Sequence, residues 1–119
     1  MVSEDRARYR TSRGRRHDPL ASVTEKAFQQ QIIDLARTLG WKTFHPYDSR
    51  RSDPGFPDLV LVKPPRVVFA ELKRESGQLS PAQLVWFGLL SQCRGVEVYV
   101  WRPSNVDGVI ATLQGEVGA

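Results

Sequence analysis

Asp58, Glu71 and Lys73 are the residues most able to do chemistry, because they interrupt a stretch that otherwise reads as two apolar strands, GFPDLVLVKPPRVVFAELK over residues 55–73. A hairpin centred on Pro64 and Pro65 pairs residues whose numbers sum to 129, setting Val62 against Val67, Val60 against Phe69 and Asp58 against Glu71. Strand side chains alternate between faces, so Asp58, Val60 and Val62 share one face with Val67, Phe69, Glu71 and Lys73. Proline cannot adopt the positive φ of a primed two-residue turn. The loop is therefore expected to be longer than Pro64 and Pro65, and a symmetric extension preserves the pairing.

Opposed side chains place their Cβ atoms about 4.5–5.5 Å apart, and two like charges at that separation repel by about 3 kcal/mol at an effective dielectric near 20. Something must offset that repulsion. Lys73, a proton held by one carboxyl, or a divalent cation between the two would each serve. The cation is favoured, since oxygen ligands from Asp and Glu suit a hard ion such as Mg²⁺, which keeps several waters and takes few protein ligands. The competing reading of an Asp, Glu and Lys at a strand end is an ordinary solvated ion cluster.

The elements that would hold these residues follow from periodicity. Ser22, Val23, Thr24 and Glu25 have the form of a capping box, and Phe28, Ile32, Leu35 and Leu39 form one apolar stripe that stops at Gly40. Glu25 lies seven residues before Ile32, on that same inward stripe. WKTFHPY reads as a strand, DSRRSDPGF as a loop, and the hairpin follows. A second helix opens after Ser80 and Pro81 and runs to about Arg94, with Leu79, Gln83, Trp86 and Leu90 on one line, which turns Gln83 inward. VEVYVW makes a further strand and a short helix follows Ser104. The order is αβββαβα.

At these residues the sequence resembles the PD-(D/E)xK nuclease superfamily, and within it the VRR-NUC (virus-type replication-repair nuclease) family. The matching residues are Glu25 in the first helix, Gly55, Phe56, Pro57 and Asp58, then Glu71, Leu72 and Lys73, and Gln83 behind LSPAQ. The resemblance spans about residues 22–113. It implies an α/β restriction-endonuclease-like core, a central mixed β-sheet flanked by helices, and a Mg²⁺- or Mn²⁺-dependent phosphodiesterase acting on DNA. On that resemblance Asp58, Glu71 and the backbone carbonyl of Leu72 hold the metal, Glu25 contributes through a second metal or a bound water, and Gln83 orients Lys73 or a phosphate. Lys73 aligns the nucleophile or stabilises charge. The implied setting is DNA repair, in the cytoplasm of a bacterial or phage-infected host cell.

Composition bounds the alternatives. The chain has 119 residues, 40% hydrophobic and 25% charged, which suits one modest globular core. A single cysteine, Cys93, excludes an internal disulfide and, without a Cys/His cluster, argues against zinc. No apolar run approaches the ~18 residues of a membrane span. The net charge of +4 is uneven: residues 1–20 carry six arginines against Glu4, Asp5 and Asp18. That segment is read as a disordered basic arm, with residues 21–119 as the nuclease domain, and its Arg13, Arg15 and Arg16 as phosphate contacts. Arg50, Arg51, Lys63, Arg66 and Arg74 could form a basic rim around the site, and His45 reads as a surface residue. Trp41 and Trp101 fall in strand patterns and read as core.

Two function classes compete: a structure-selective endonuclease acting on branched DNA such as four-way junctions, and a non-catalytic nucleic-acid-binding module using the arm and rim. A sequence-specific restriction-type nuclease is a third, with little room for a base-reading domain. The second helix adds a homodimer, since Leu79, Leu84, Val85, Trp86, Phe87, Leu89 and Leu90 point nearly all round its axis and one sheet covers only one side. The competing cover is the terminal helix around Val109, Ile110 and Leu113.

Overall fold

Two caps set the first elements of the computed structural model, which describes residues 18–46 and 53–115. Asp18 accepts a hydrogen bond from Leu20 N at 3.0 Å and opens a 3-10 turn over Pro19–Ser22. Ser22 is itself the last residue of that turn, its Oγ donating back to Pro19 O at 3.0 Å, so it does not stand at the start of the first helix. Thr24 caps instead: its Oγ1 accepts from Ala27 N at 3.0 Å, and α1 runs Glu25–Thr38. Glu25 is thus the first helical residue rather than the third of a capping box. Gly40, with φ of 93°, takes the left-handed conformation that closes many helices.

Four strands follow as one mixed sheet in the order β1 (Lys42–Phe44), β2 (Leu59–Lys63), β3 (Arg66–Leu72) and β4 (Glu97–Trp101). The first two pairings are antiparallel; β3 and β4 are parallel, which requires the crossover that α2 (Pro81–Ser91) supplies. A 3-10 turn at Pro103–Asn105 leads into α3 (Val106–Gln114). Apart from the two short turns this is the expected order. The hairpin register is also as read: Val62 pairs with Val67, Val60 with Phe69 and Leu59 with Ala70. Its loop is shorter than expected, for Lys63 already pairs with Arg66 and a cis peptide joins Pro64 to Pro65. A type VI turn of that kind needs no positive φ.

The two faces of the sheet differ. Leu59, Leu61, Val68, Ala70 and Leu72 are sealed by Phe28, Ile32, Ile33 and Ala36 of α1, by Val109 and Leu113 of α3, and by Trp41 and Trp101. Each large apolar side chain buried there contributes about 1.5–3 kcal/mol. The inner stripe of α1 is rotated from the expected one: Ile33 and Ala36 are buried, whereas Leu35 and Leu39 pack at its margin. Trp41 Nε1 donates to Leu113 O at 3.1 Å, and Arg66 reaches Thr112 O and Gly115 O at 2.9 and 2.7 Å, so the end of α3 is tied to the sheet by hydrogen bonds as well as by packing.

The opposite face carries Val60, Val62, Val67 and Phe69, all half-buried. Phe56 stands edge-on to Phe69 and to Trp86, with ring centroids 6.1 and 5.0 Å apart, which seats α2 over this face. The outer side of α2 remains apolar and open, with Leu84, Val85 and Leu89 exposed to 54%, 61% and 59%. Phe87 of the same helix is half-buried. Val109 and Leu113 are spent on the other face, so α3 does not close it. Among the described residues no helix is long and apolar enough to cross a membrane.

Candidate active site

Asp58 immediately precedes β2 and Glu71 is the penultimate residue of β3, so the hairpin register brings the two together at the end of the sheet where α2 begins. Asp58 Oδ2 accepts from Leu72 N at 2.8 Å, extending the hairpin by one side-chain bond beyond its last backbone pair. In an extended strand the N–H and C=O of one residue point to the same side. Leu72 therefore turns its carbonyl toward Asp58, while the next N–H, that of Lys73, turns the other way and bonds Trp101 O at 3.0 Å.

Glu71 is only 5% exposed. Its Oε2 accepts from Gln83 Nε2 at 2.6 Å, whereas Oε1 is buried with no hydrogen-bond partner. Burial first, then the nearby Asp58 carboxylate, push the Glu71 carboxyl up to about 8 from its ordinary 4.5; Lys73 opposes the rise and Glu25 adds to it. A proton is thus one answer to the like-charge pair in the free protein. Glu25 is exposed at the first turn of α1, which packs on the opposite face of the sheet, yet its charge reaches Glu71 around the sheet end. Lys73 is half-buried on the Glu71 face, with its aliphatic chain passing Gly77.

Gln83 is positioned by the start of α2. Ser80 caps the helix through Oγ, which accepts from Gln83 N at 3.2 Å, and the Gln83 Oε1 accepts from Ser80 N at 2.8 Å, a complete capping box. Gly55, with φ of 84°, lies against this turn: a Cβ there would sit 2.5 Å from Ala82 O and 2.7 Å from Gln83 N. No other residue type fits that approach without moving α2.

The basic residues divide. Arg74 is exposed beside Lys73, with Nη2 3.3 Å from Ala21 O. Arg66 does not belong to a rim: it is 7% exposed and forms a two-pronged pair with Glu97, Nε–Oε2 and Nη2–Oε1 both 2.7 Å, with its guanidinium 5.0 Å from the Trp41 ring centre. That hydrogen-bonded pair holds the Glu97 carboxyl below its usual range. Lys63 is also removed from the site, five residues along β2 from Asp58 or about 17 Å, and donates to Leu39 O at 2.9 Å. Arg13, Arg15, Arg16, Arg50 and Arg51 lie outside the described residues. His45 is exposed. The sequence pattern had no signal for Arg102, whose Nη1 bonds Arg74 O at 3.0 Å and Gly77 O at 2.6 Å and so braces the loop that follows Lys73.

Among the described residues no set of three or more His, Cys, Asp and Glu side chains is arranged as a metal cage. The donors that do converge are two carboxylates and a strand carbonyl.

The VRR-NUC domain family model matches residues 4–105. The chain belongs to this family. VRR-NUC domains are nuclease domains, and the match takes in the hairpin, the first turn of α2 and β4. A solved VRR_NUC domain is 28% identical, with a TM-score of 0.61 over 73% of this chain and 94% of that chain. A second, a VRR_NUC domain protein, is 20% identical with a TM-score of 0.61 over 77% of this chain and 86% of that one, and shares the fold. No curated protein matches the chain. The resemblance read from Glu25 to Gln83, and the mixed sheet it implied, are therefore borne out for this VRR-NUC domain.

Proposed function

We propose that this VRR-NUC domain is a Mg²⁺- or Mn²⁺-dependent, structure-selective endonuclease that hydrolyses phosphodiester bonds in branched DNA such as four-way (Holliday) junctions. The observation that carries the reading is Glu71 Oε1, a buried carboxylate oxygen without a partner beside a second carboxylate. A buried polar atom of that kind calls for an explanation, and a divalent cation replacing the proton supplies one. The donor chemistry fits, since Asp58, Glu71 and the Leu72 carbonyl offer only oxygens, few in number, to an ion that retains its waters. When bound, such an ion neutralises charge on the phosphate and acidifies a water.

The chain's own residues divide the remaining work. Lys73, close enough to Glu71 to lower its proton affinity, aligns the nucleophile or stabilises charge developing on the phosphate. Gln83 holds one oxygen of Glu71 in place, and Glu25 acts through a second ion or a bound water. Arg74 contacts DNA phosphates, as do Arg13, Arg15, Arg16, Arg50 and Arg51. The open side of α2, Leu84, Val85 and Leu89, pairs with a second copy. A symmetric pair carries two sites related by a two-fold axis, which supports a branched substrate over a linear one.

A fluorogenic four-way junction tests the reading. Cleavage is expected with Mg²⁺ or Mn²⁺, none with EDTA, and none in Asp58→Asn or Glu71→Gln, both of which should also weaken Mn²⁺ binding in calorimetry. Lys73→Ala should lose cleavage and keep the metal. Undiminished cleavage in EDTA, or unchanged Mn²⁺ affinity in both carboxylate variants, refutes the metal assignment.

A further inference from the structure

The side-chain amide of Gln83 has one acceptor and one donor group, and both are committed: Oε1 to Ser80 N at 2.8 Å and Nε2 to Glu71 Oε2 at 2.6 Å. Turning the amide over would set its oxygen against a carboxylate oxygen and its NH₂ against an N–H, two repulsive contacts at a half-buried position. The Ser80 N–H therefore decides which end of the amide meets Glu71. A capping box accepts Glu as readily as Gln at its third helical position, but only Gln brings a donor for Glu71. The turn carrying this arrangement is itself held in register with Asp58, because the Ala82–Gln83 peptide rests against Gly55, three residues before Asp58.

We infer that Ser80, through its backbone N–H, is a positioning residue of the nuclease site: it aims the Gln83 amide so that Nε2 takes one oxygen of Glu71 and leaves the other for the reacting centre. The helix cap and the orientation of Glu71 are then one device. Ser80 touches neither substrate nor Glu71 and acts only through Gln83. The inference rests on the proposed role of Asp58 and Glu71.

Comparing Ser80→Pro with Ser80→Ala isolates the N–H. Both variants lose the Oγ cap, but only proline loses the donor. The observed φ of −74° and ψ of 164° at Ser80 suit proline, including one followed by Pro81. In nitrogen-15 spectra of the metal-free protein, the Gln83 side-chain amide, assigned by its disappearance in Gln83→Glu, is expected to exchange slowly in Ser80→Ala and rapidly in Ser80→Pro. On the junction substrate kcat should be about tenfold lower in Ser80→Pro than in Ser80→Ala, the worth of one hydrogen bond to a charged group, with KM shared. Equal exchange and equal kcat in the two variants overturn the inference.

Should Ser80→Pro not fold, Gln83→Glu decides. It keeps the capping box but brings an oxygen where Glu71 needs a donor, so kcat should fall, and wild-type kcat in that variant overturns the inference. Cleavage surviving in Asp58→Asn faults the site reading instead, so the two failures are distinct.

Discussion

Removing the carboxylate at position 71 should stabilise the metal-free protein, and by an amount that depends on pH. Between 4.5 and about 8 the folded chain keeps a proton on Glu71 that the unfolded chain has released. The folded state then binds more protons than the unfolded one, so stability falls as pH rises through this window, at up to about 1.4 kcal/mol per unit. Below the unfolded value the penalty is absent; above about 8 it is complete. From about pH 5.5 to about pH 7.5 the wild-type protein should lose about 2–3 kcal/mol relative to Glu71→Gln, which cannot titrate and still accepts from Gln83. For a domain of this size that corresponds to a relative shift in melting temperature of about 10–20 °C. Urea unfolding of both proteins in EDTA at the two pH values measures it, and using the difference between them cancels every titrating group not coupled to Glu71. Parallel pH dependences would show that Glu71 ionises normally and that the buried pair holds no proton.

The other predictions concern the arm, the open helix and the buried arginine. Deleting residues 1–16 should weaken DNA binding at low salt and flatten log K against log salt by about 0.9 for each phosphate the arm neutralises; an unchanged slope makes the arm a spectator. Leu84→Glu combined with Leu89→Glu should convert a dimer to a monomer in light scattering at micromolar concentration, and a monomer mass for the unmodified chain refutes the pairing. Arg66→Met should cost about 3 kcal/mol in urea unfolding because it leaves Glu97 half-buried and unpaired, whereas a loss below about 1 kcal/mol would rank the pair with surface ones.

The site was legible where chemistry sits on a repeating pattern. Pairing by number across Pro64 and Pro65 brought Asp58 to Glu71 from the sequence alone, because strand periodicity is strict and a one-residue slip would turn every valine over. Gln83 was legible for the same reason, lying in line with Trp86 and Leu90 on a helix. What escaped depended on partners far away in the chain or on choices between near-equals. Ser22 and Thr24 are both good caps, and Ser22 was taken into a turn that Asp18 and Pro19 start. Arg66 looked like a solvent-facing charge at a strand end because its partner Glu97 is 31 residues on. Arg102 had no pattern to belong to. The open side of α2 was readable as surplus apolarity, but which residues face out depended on how Phe56 and Trp86 seat the helix.

The family match ends at residue 105, yet the fold does not. α3 lies wholly beyond that limit, and it supplies two of the fully buried side chains, Val109 and Leu113, together with the carbonyl that satisfies the Trp41 indole. The last residue of the family match is thus not the border of the folding unit. A recombination joint placed at residue 105 would carry over every motif residue and still deliver a half-sealed sheet, so any new neighbour must bring its own cover for Trp41 and a carbonyl for its N–H.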